Sequence, residues 1–195
     1  MNFISQNIYH IYNRGNNKQT IFLKEGNYIY FLQKVRKYIV PHCEILAYVL
    51  MPNHFHFLIY ADDRTEKQSA NMPIQRNMLS EGIRLLLSSY SKGINKQETR
   101  TGNLIQQKTK SKCVYDKLSK NDYAAICFQY IHQNPVRAGL VNKMEDWHYS
   151  SYRDYAGLRK GTLCNQDLAK NIIGMQVETT TRDRILSEDS LKDIW

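Results

Sequence analysis

No run of about 18 or more apolar residues occurs in this 195-residue chain, so nothing in it is long enough to cross a bilayer as a helix. Its opening, MNFISQNIYHIYNRG, lacks the basic start, apolar middle and small-residue cleavage site of a secretory signal. A cytoplasmic location is the expectation. Cys43, Cys113, Cys127 and Cys164 are scattered with no C-x-x-C spacing, which gives a zinc knuckle or disulfide framework little support and leaves free thiols. Neither an internal repeat nor a low-complexity tract is present. A hydrophobic content of 42% is enough for an ordinary globular core. The length fits one domain, or one domain with an appendage.

Acidic residues are also scarce, and unevenly so. Residues 1–160 hold 23 Lys/Arg against 12 Asp/Glu, a balance of +11, whereas residues 161–195 hold four against six. A domain this basic commonly meets a polyanion, and nucleic acid is the commonest one in the cytoplasm.

What is present begins with strand and helix patterns. QNIYHIYN (6–13) alternates with β-favouring Ile and Tyr and reads as a strand closed by Gly15. Over 25–40, Ile29, Leu32, Val35 and Ile39 recur at helical spacing until Pro41. CEILAYVL (43–50) and HFHFLIY (54–60) are two strands joined by the tight connection Met51-Pro52-Asn53. Ile74, Met78, Ile83, Leu86, Leu87, Tyr90 and Ile94 predict a long amphipathic helix. A strand is expected near Asn103–Val114, within a stretch (96–120) holding seven Lys/Arg against two acids. Asp122 can cap a helix through YAAICFQYIHQ that Pro135 ends. The order β-α-β-β-α-β-α predicts an α+β fold, a ferredoxin-like or RRM-like antiparallel sheet with helices packed on one face and the other open to a ligand.

Two constellations carry chemistry. In Asn53-His54-Phe55-His56-Phe57, residues two apart on a strand share a face. His54 and His56 then project together while Phe55, Phe57 and Ile59 enter the core, and imidazoles about 6–7 Å apart can converge on one metal ion. An isolated H-x-H is more often two ordinary histidines. In Tyr130-Ile-His-Gln-Asn134-Pro135, Tyr130 and Asn134 lie one helical turn apart, beside a separate buried stripe of Ala124, Phe128 and Ile131. A deprotonated phenol is a nucleophile, and an amide oxygen is a hard ligand for Mg²⁺ or Mn²⁺. Tyr123, two turns before Tyr130, competes for the same role.

MPNHFHFLIY resembles the HUH motif (His, hydrophobic residue, His) of single-tyrosine transposases. YIHQNPVRAGLV resembles the tyrosine helix of the REP-associated members of that group. YHIYNRGNN, TGNLIQQKTK and WHYSSYRDYAG support the likeness in order across residues 6–157. The resemblance implies metal ligands at His54 and His56 and the nucleophile at Tyr130. It makes Asn134 the third ligand, where many relatives of the wider family place Gln. Asn is one methylene shorter, and Pro135 disfavours a helical conformation at Asn134, so Gln133 is the alternative. It implies Mg²⁺ or Mn²⁺ as cofactor, single-stranded or hairpin DNA as partner, and nicking and rejoining through a 5′-phosphotyrosine. The chain would act as a monomer or a homodimer, nucleoid-associated when bound, in transposition or in processing REP-type elements.

Beside that likeness, Arg14 and the alternating Lys108, Lys110 and Lys112 are candidate DNA contacts. His132 sits on a different helix face from Tyr130 and is a weaker base than a metal-assisted or water route. Tyr149, Tyr152 and Tyr155 read as packing, and Trp147 as core or an edge anchor. The transposase domain is expected to span 1–157, with 158–195 an appendage whose role is unreadable. The main alternative is a non-catalytic single-stranded nucleic-acid-binding module on the same fold. A metallohydrolase unrelated to DNA would leave the basic middle and the tyrosine helix unexplained.

Overall fold

A computed structural model describes residues 1–67, 77–116 and 123–174. Four strands, β1 (Ile8–Arg14), β2 (Glu44–Met51), β3 (His54–Tyr60) and β4 (Lys110–Tyr115), form one sheet in the order β2-β3-β1-β4. Every pairing is antiparallel. The fold is α+β, as expected. β4 is shorter than the stretch read as a strand; ahead of it, Gly15 and Ile105 form only an isolated bridge.

Two helices cover one face. α1 (Glu25–Tyr38) starts where the Asn27 side chain accepts from the Leu23 and Lys24 backbone N–H groups, both at 3.0 Å. Its buried stripe is Tyr28, Phe31 and Val35, followed by Ile39; Val35 and Ile39 are as expected, but Ile29 is exposed and Leu32 half-buried, and Tyr28 and Phe31 take their places. In the first two turns this lets Phe31 lie 5.1 Å from Phe55, centroid to centroid. That buries an aromatic ring where the Ile29 register would have faced a smaller side chain to the core. A four-residue helix, α2 (Asp63–Glu66), precedes α3 (Met78–Gln97). Asn77 caps α3 by accepting from the Ser80 N–H at 2.9 Å; Ile74 lies outside the described residues, as does Asp122. At Gly82 a Cβ would stand 2.0 Å from the Tyr38 carbonyl oxygen, so only glycine lets α3 approach the end of α1 this closely.

The opposite face was expected to be open. Instead α4 (Ala124–Arg137) lies across β2, β3 and β4, burying Ala124, Cys127, Phe128 and Ile131. Both faces of β2 and β3 are therefore covered, which accounts for the nearly continuous apolar run EILAYVLM. α4 also runs past Pro135 to Arg137. Proline removes one donor and crowds the preceding turn, but here it falls in the last turn. The Ala138 and Leu140 N–H groups close that end on the Asn134 and Pro135 carbonyls.

The outer edge of β2 is occupied rather than bare. Leu50 donates to the Tyr149 carbonyl at 2.9 Å, and Ser151 donates to that of Tyr48 at 3.0 Å. Trp147 Nε1 donates to the Leu50 carbonyl, and the Tyr155 hydroxyl to that of Leu46. Tyr149 stacks on Tyr28 with centroids 3.7 Å apart. These are the packing roles read for the late aromatics, and they shield an edge that would otherwise invite pairing. A short helix, α5 (Tyr152–Tyr155), follows. Beyond it, Asn165 donates to the Ile45 carbonyl, and α6 (Gln166–Ile173) returns to β2.

Candidate active site

Antiparallel register places Tyr12 opposite His56 and Arg14 opposite His54. Paired residues share a face. The face beneath α4 thus carries His10, Tyr12, Arg14, His54 and His56, while Phe55, Phe57 and Ile59 are buried on the other. The His54 and His56 rings lie 5.1 Å apart, nearly perpendicular. His56 is 2% exposed, so it is not on a solvated surface, contrary to the sequence reading; α4 encloses it.

α4 brings its own chemistry to that spot. The Tyr130 ring stands edge-on to His56 at 5.6 Å and to His10 at 6.3 Å, within one chain. The Asn134 Nδ2 donates to the Tyr130 carbonyl at 2.9 Å, and the amide lies near enough to His54 and to the Tyr130 phenol to perturb the pKa of both, raising the first and lowering the second. Asn134 is thus helical and inside the site despite the proline that follows it. Gln133, the alternative amide, is buried on the same helix. Tyr123 sits at the N-cap of α4, two turns away and half-buried.

Burial sets the protonation states. His54 is pushed down to about 4, chiefly by desolvation, with the Asn134 hydrogen bond opposing and Arg14 assisting. His56 is held well below the usual histidine range by burial, then by His10 and His54. Both rings are therefore neutral at physiological pH, as ligation requires. Tyr130 is pushed up to about 12 by burial, while Asn134 and the Arg137 cation pull the other way.

No family model matches the chain. A Haemophilus influenzae protein named as a REP-associated tyrosine transposase is 24% identical over 110 residues, covering 56% of this chain. The match spans 58% of that relative's length, less than two thirds of it. A solved structure of a REP-associated tyrosine transposase bound to a REP hairpin superposes with a TM-score of 0.57 at 17% identity, over 96% of this chain and 97% of that one. The chain is similar in sequence and fold to REP-associated tyrosine transposases. Among the described residues no helix is long and apolar enough to cross a membrane.

Beside the histidines opens a cleft of about 420 Å³, lined by Tyr12, Arg14, Asn53, His54, His56, Lys108 and Lys110 among others. Three of the four candidate DNA-contact residues meet there. Lys108 precedes β4 rather than lying on it, and Lys110 holds its Nζ 5.9 Å from the Tyr12 ring centroid. Lys112 pairs with His10 and lies toward Cys127 of α4. His132 points away from this cleft: it is buried, with Nε2 2.8 Å from the Ser151 hydroxyl.

The donor set suits a hard divalent ion. Among the described residues no group of three or more His, Cys, Asp or Glu is placed to hold a metal, so a metal on His54 and His56 would draw its further donors from other groups. The Asn134 amide near His54 would be one such donor, and two imidazoles with an amide oxygen would suit Mg²⁺ or Mn²⁺.

Sequence reading missed His10. Its ring is fully buried, with Nε2 2.8 Å from His56 Nδ1. Tyr12 was missed as well; it stacks on His10 at 4.7 Å and runs nearly parallel to His56 at 5.7 Å. The signal was the two-residue alternation of YHIYN, which puts both on one face.

Proposed function

We propose that this chain nicks and rejoins single-stranded or hairpin DNA through Tyr130, as a tyrosine transposase acting in transposition or in processing REP-type elements. The observation that carries the reading is the Tyr130 ring edge-on to His56 at 5.6 Å, beside His54, all in one chain. The likeness to REP-associated tyrosine transposases, one of them bound to a REP hairpin, supports it from a second direction.

Arg14, Lys108 and Lys110 would hold the strand's phosphates along the cleft. The Tyr130 oxygen forms a bond to phosphorus as the bond from phosphorus to the 3′ oxygen breaks. The phenolic proton leaves to water, the departing 3′ oxygen takes one up, and the 5′ phosphate stays on the tyrosine. Attack by a 3′ hydroxyl on that linkage reverses the step and rejoins DNA. Mg²⁺ or Mn²⁺, held by His54, His56 and Asn134, would neutralise a non-bridging phosphate oxygen and favour the phenolate that burial disfavours. Asn134 orients the phenol meanwhile, and α4 keeps bulk water from the histidines.

The test is an SDS-stable adduct with a hairpin carrying a single-stranded flank, in Mg²⁺ or Mn²⁺. Wild type should form it on the 5′ side of the nick. Tyr130→Phe should form none yet bind DNA with near-normal affinity, and Tyr123→Phe should retain it. An adduct mapped to Tyr123, or one that persists in Tyr130→Phe, would refute the assignment.

A further inference from the structure

The two histidines at the start of β3 are each held by a second residue, and both are held at the same ring atom, Nδ1. Asn53 lies in the turn from β2 to β3. The Gly15 N–H bonds its carbonyl at 2.8 Å, and the Ile21 and Phe22 N–H groups bond the carbonyl of Pro52 at 2.8 and 3.0 Å. The Asn53 side chain donates through Nδ2 to the Lys18 carbonyl at 3.2 Å, which turns Oδ1 toward His54 Nδ1 at 2.6 Å. An amide oxygen only accepts. His54 therefore carries its proton on Nδ1 and its lone pair on Nε2.

His56 meets a partner of a different kind. His10 Nε2 and His56 Nδ1 are 2.8 Å apart, both rings buried. One proton lies between two neutral imidazoles, and its owner decides what His56 can do. If His56 donates from Nδ1, its Nε2 presents a lone pair; if it accepts there, Nε2 bears hydrogen and cannot ligate. His10 has no room to turn aside, because it is stacked on Tyr12 and closed by the Tyr130 edge.

We infer that His10 and Asn53 are positioning residues which fix both site histidines as Nδ1–H tautomers, making Nε2 of His54 and of His56 the two ligand atoms. Geometry alone sets the tautomer at His54, whereas at His56 the hydrogen bond admits either owner and the choice rests on the metal-site reading above. Such outer partners orient a ligand ring and raise its basicity, and losing one typically weakens metal binding 10–100-fold.

Two measurements on the full chain separate the two ideas. Long-range ¹H–¹⁵N spectra of metal-free wild type at neutral pH should show His54 and His56 both protonated at Nδ1. An Nε2–H tautomer at His56 overturns the assignment of His10, and at His54 that of Asn53. Calorimetric titration with Mn²⁺ should then show His10→Phe, which keeps a flat ring in the space, binding about 10–100-fold more weakly than wild type. His10→Gln, whose Oε1 can accept the same hydrogen, should recover most of that loss, and both variants should bind DNA normally in chelator. Wild-type binding with undiminished affinity in His10→Phe sinks the positioning role while leaving the metal site standing. No Mn²⁺ binding by wild type overturns the metal site, and the ligand role with it, whatever the tautomers.

Discussion

Three imidazoles in this protein are neutral because they are enclosed, and that makes its stability sensitive to acid. His54 is pushed down to about 4 and His132 to about 3, both chiefly by burial, and His56 is well below its ordinary range. An unfolded histidine takes up a proton near pH 6.5, so below that pH the unfolded chain binds protons that the native one refuses. Stability is fully present above about pH 6.5 and is lost as pH falls toward the native values. His132 isolates the effect, because Ser151 also bonds the Tyr48 backbone and keeps a partner when the imidazole goes. Denaturant titrations of metal-free protein from pH 7 to pH 5 should show stability falling with pH. In His132→Phe the fall should be shallower by up to about 1.4 kcal/mol per pH unit, the value of one proton. An unchanged slope would mean that His132 is charged in the native state. His56→Ala would open a cavity under α4, because His56 is buried.

At the scale of elements, α4 decides how much could be read in advance. β3 was legible because HFHFLIY alternates cleanly, with aromatic rings on one face and imidazoles on the other. His10 was not, because β1 is buried on both faces and a histidine among Tyr and Ile looks like any strand residue. The first half of the α1 stripe was misplaced by one position because Ile29 and Tyr28 both fit a helical spacing that ends on Val35 and Ile39, and the contacts of Phe31 with Phe55 and Tyr90 favour Tyr28 and Phe31. The resemblance implied roles for Tyr130 and the histidines, but the face that α4 covers was expected to be open, because no local pattern says where a helix docks. It docks on the sheet of its own chain, which makes a prediction about sharing. Mixing His56→Ala with Tyr130→Phe should restore no adduct formation, because neither chain can lend its tyrosine helix to the other's histidines. Recovery toward a quarter or more of wild-type yield would show that α4 swaps between protomers in solution.

The whole molecule is a basic domain whose charge is not spread evenly, and only part of it faces the cleft. Arg14, Lys108 and Lys110 line it, whereas Lys112 lies toward Cys127. Phosphates held by lysine release counterions, so affinity falls with salt by about 0.7 in log–log slope per phosphate neutralised on a single strand. Lys108→Ala with Lys110→Ala should lower that slope by about 1.4 for single-stranded or hairpin DNA. Lys112→Ala should change it less than either lysine in the cleft. Blunt duplex of the same length should bind more weakly at every salt concentration, because the enclosed histidines and Tyr130 admit a strand more readily than a paired helix. Binding isotherms at several salt concentrations decide the matter. A slope unmoved by the double substitution, or tighter binding to blunt duplex, would place the nucleic-acid surface elsewhere on this domain and separate DNA binding from the site beneath α4.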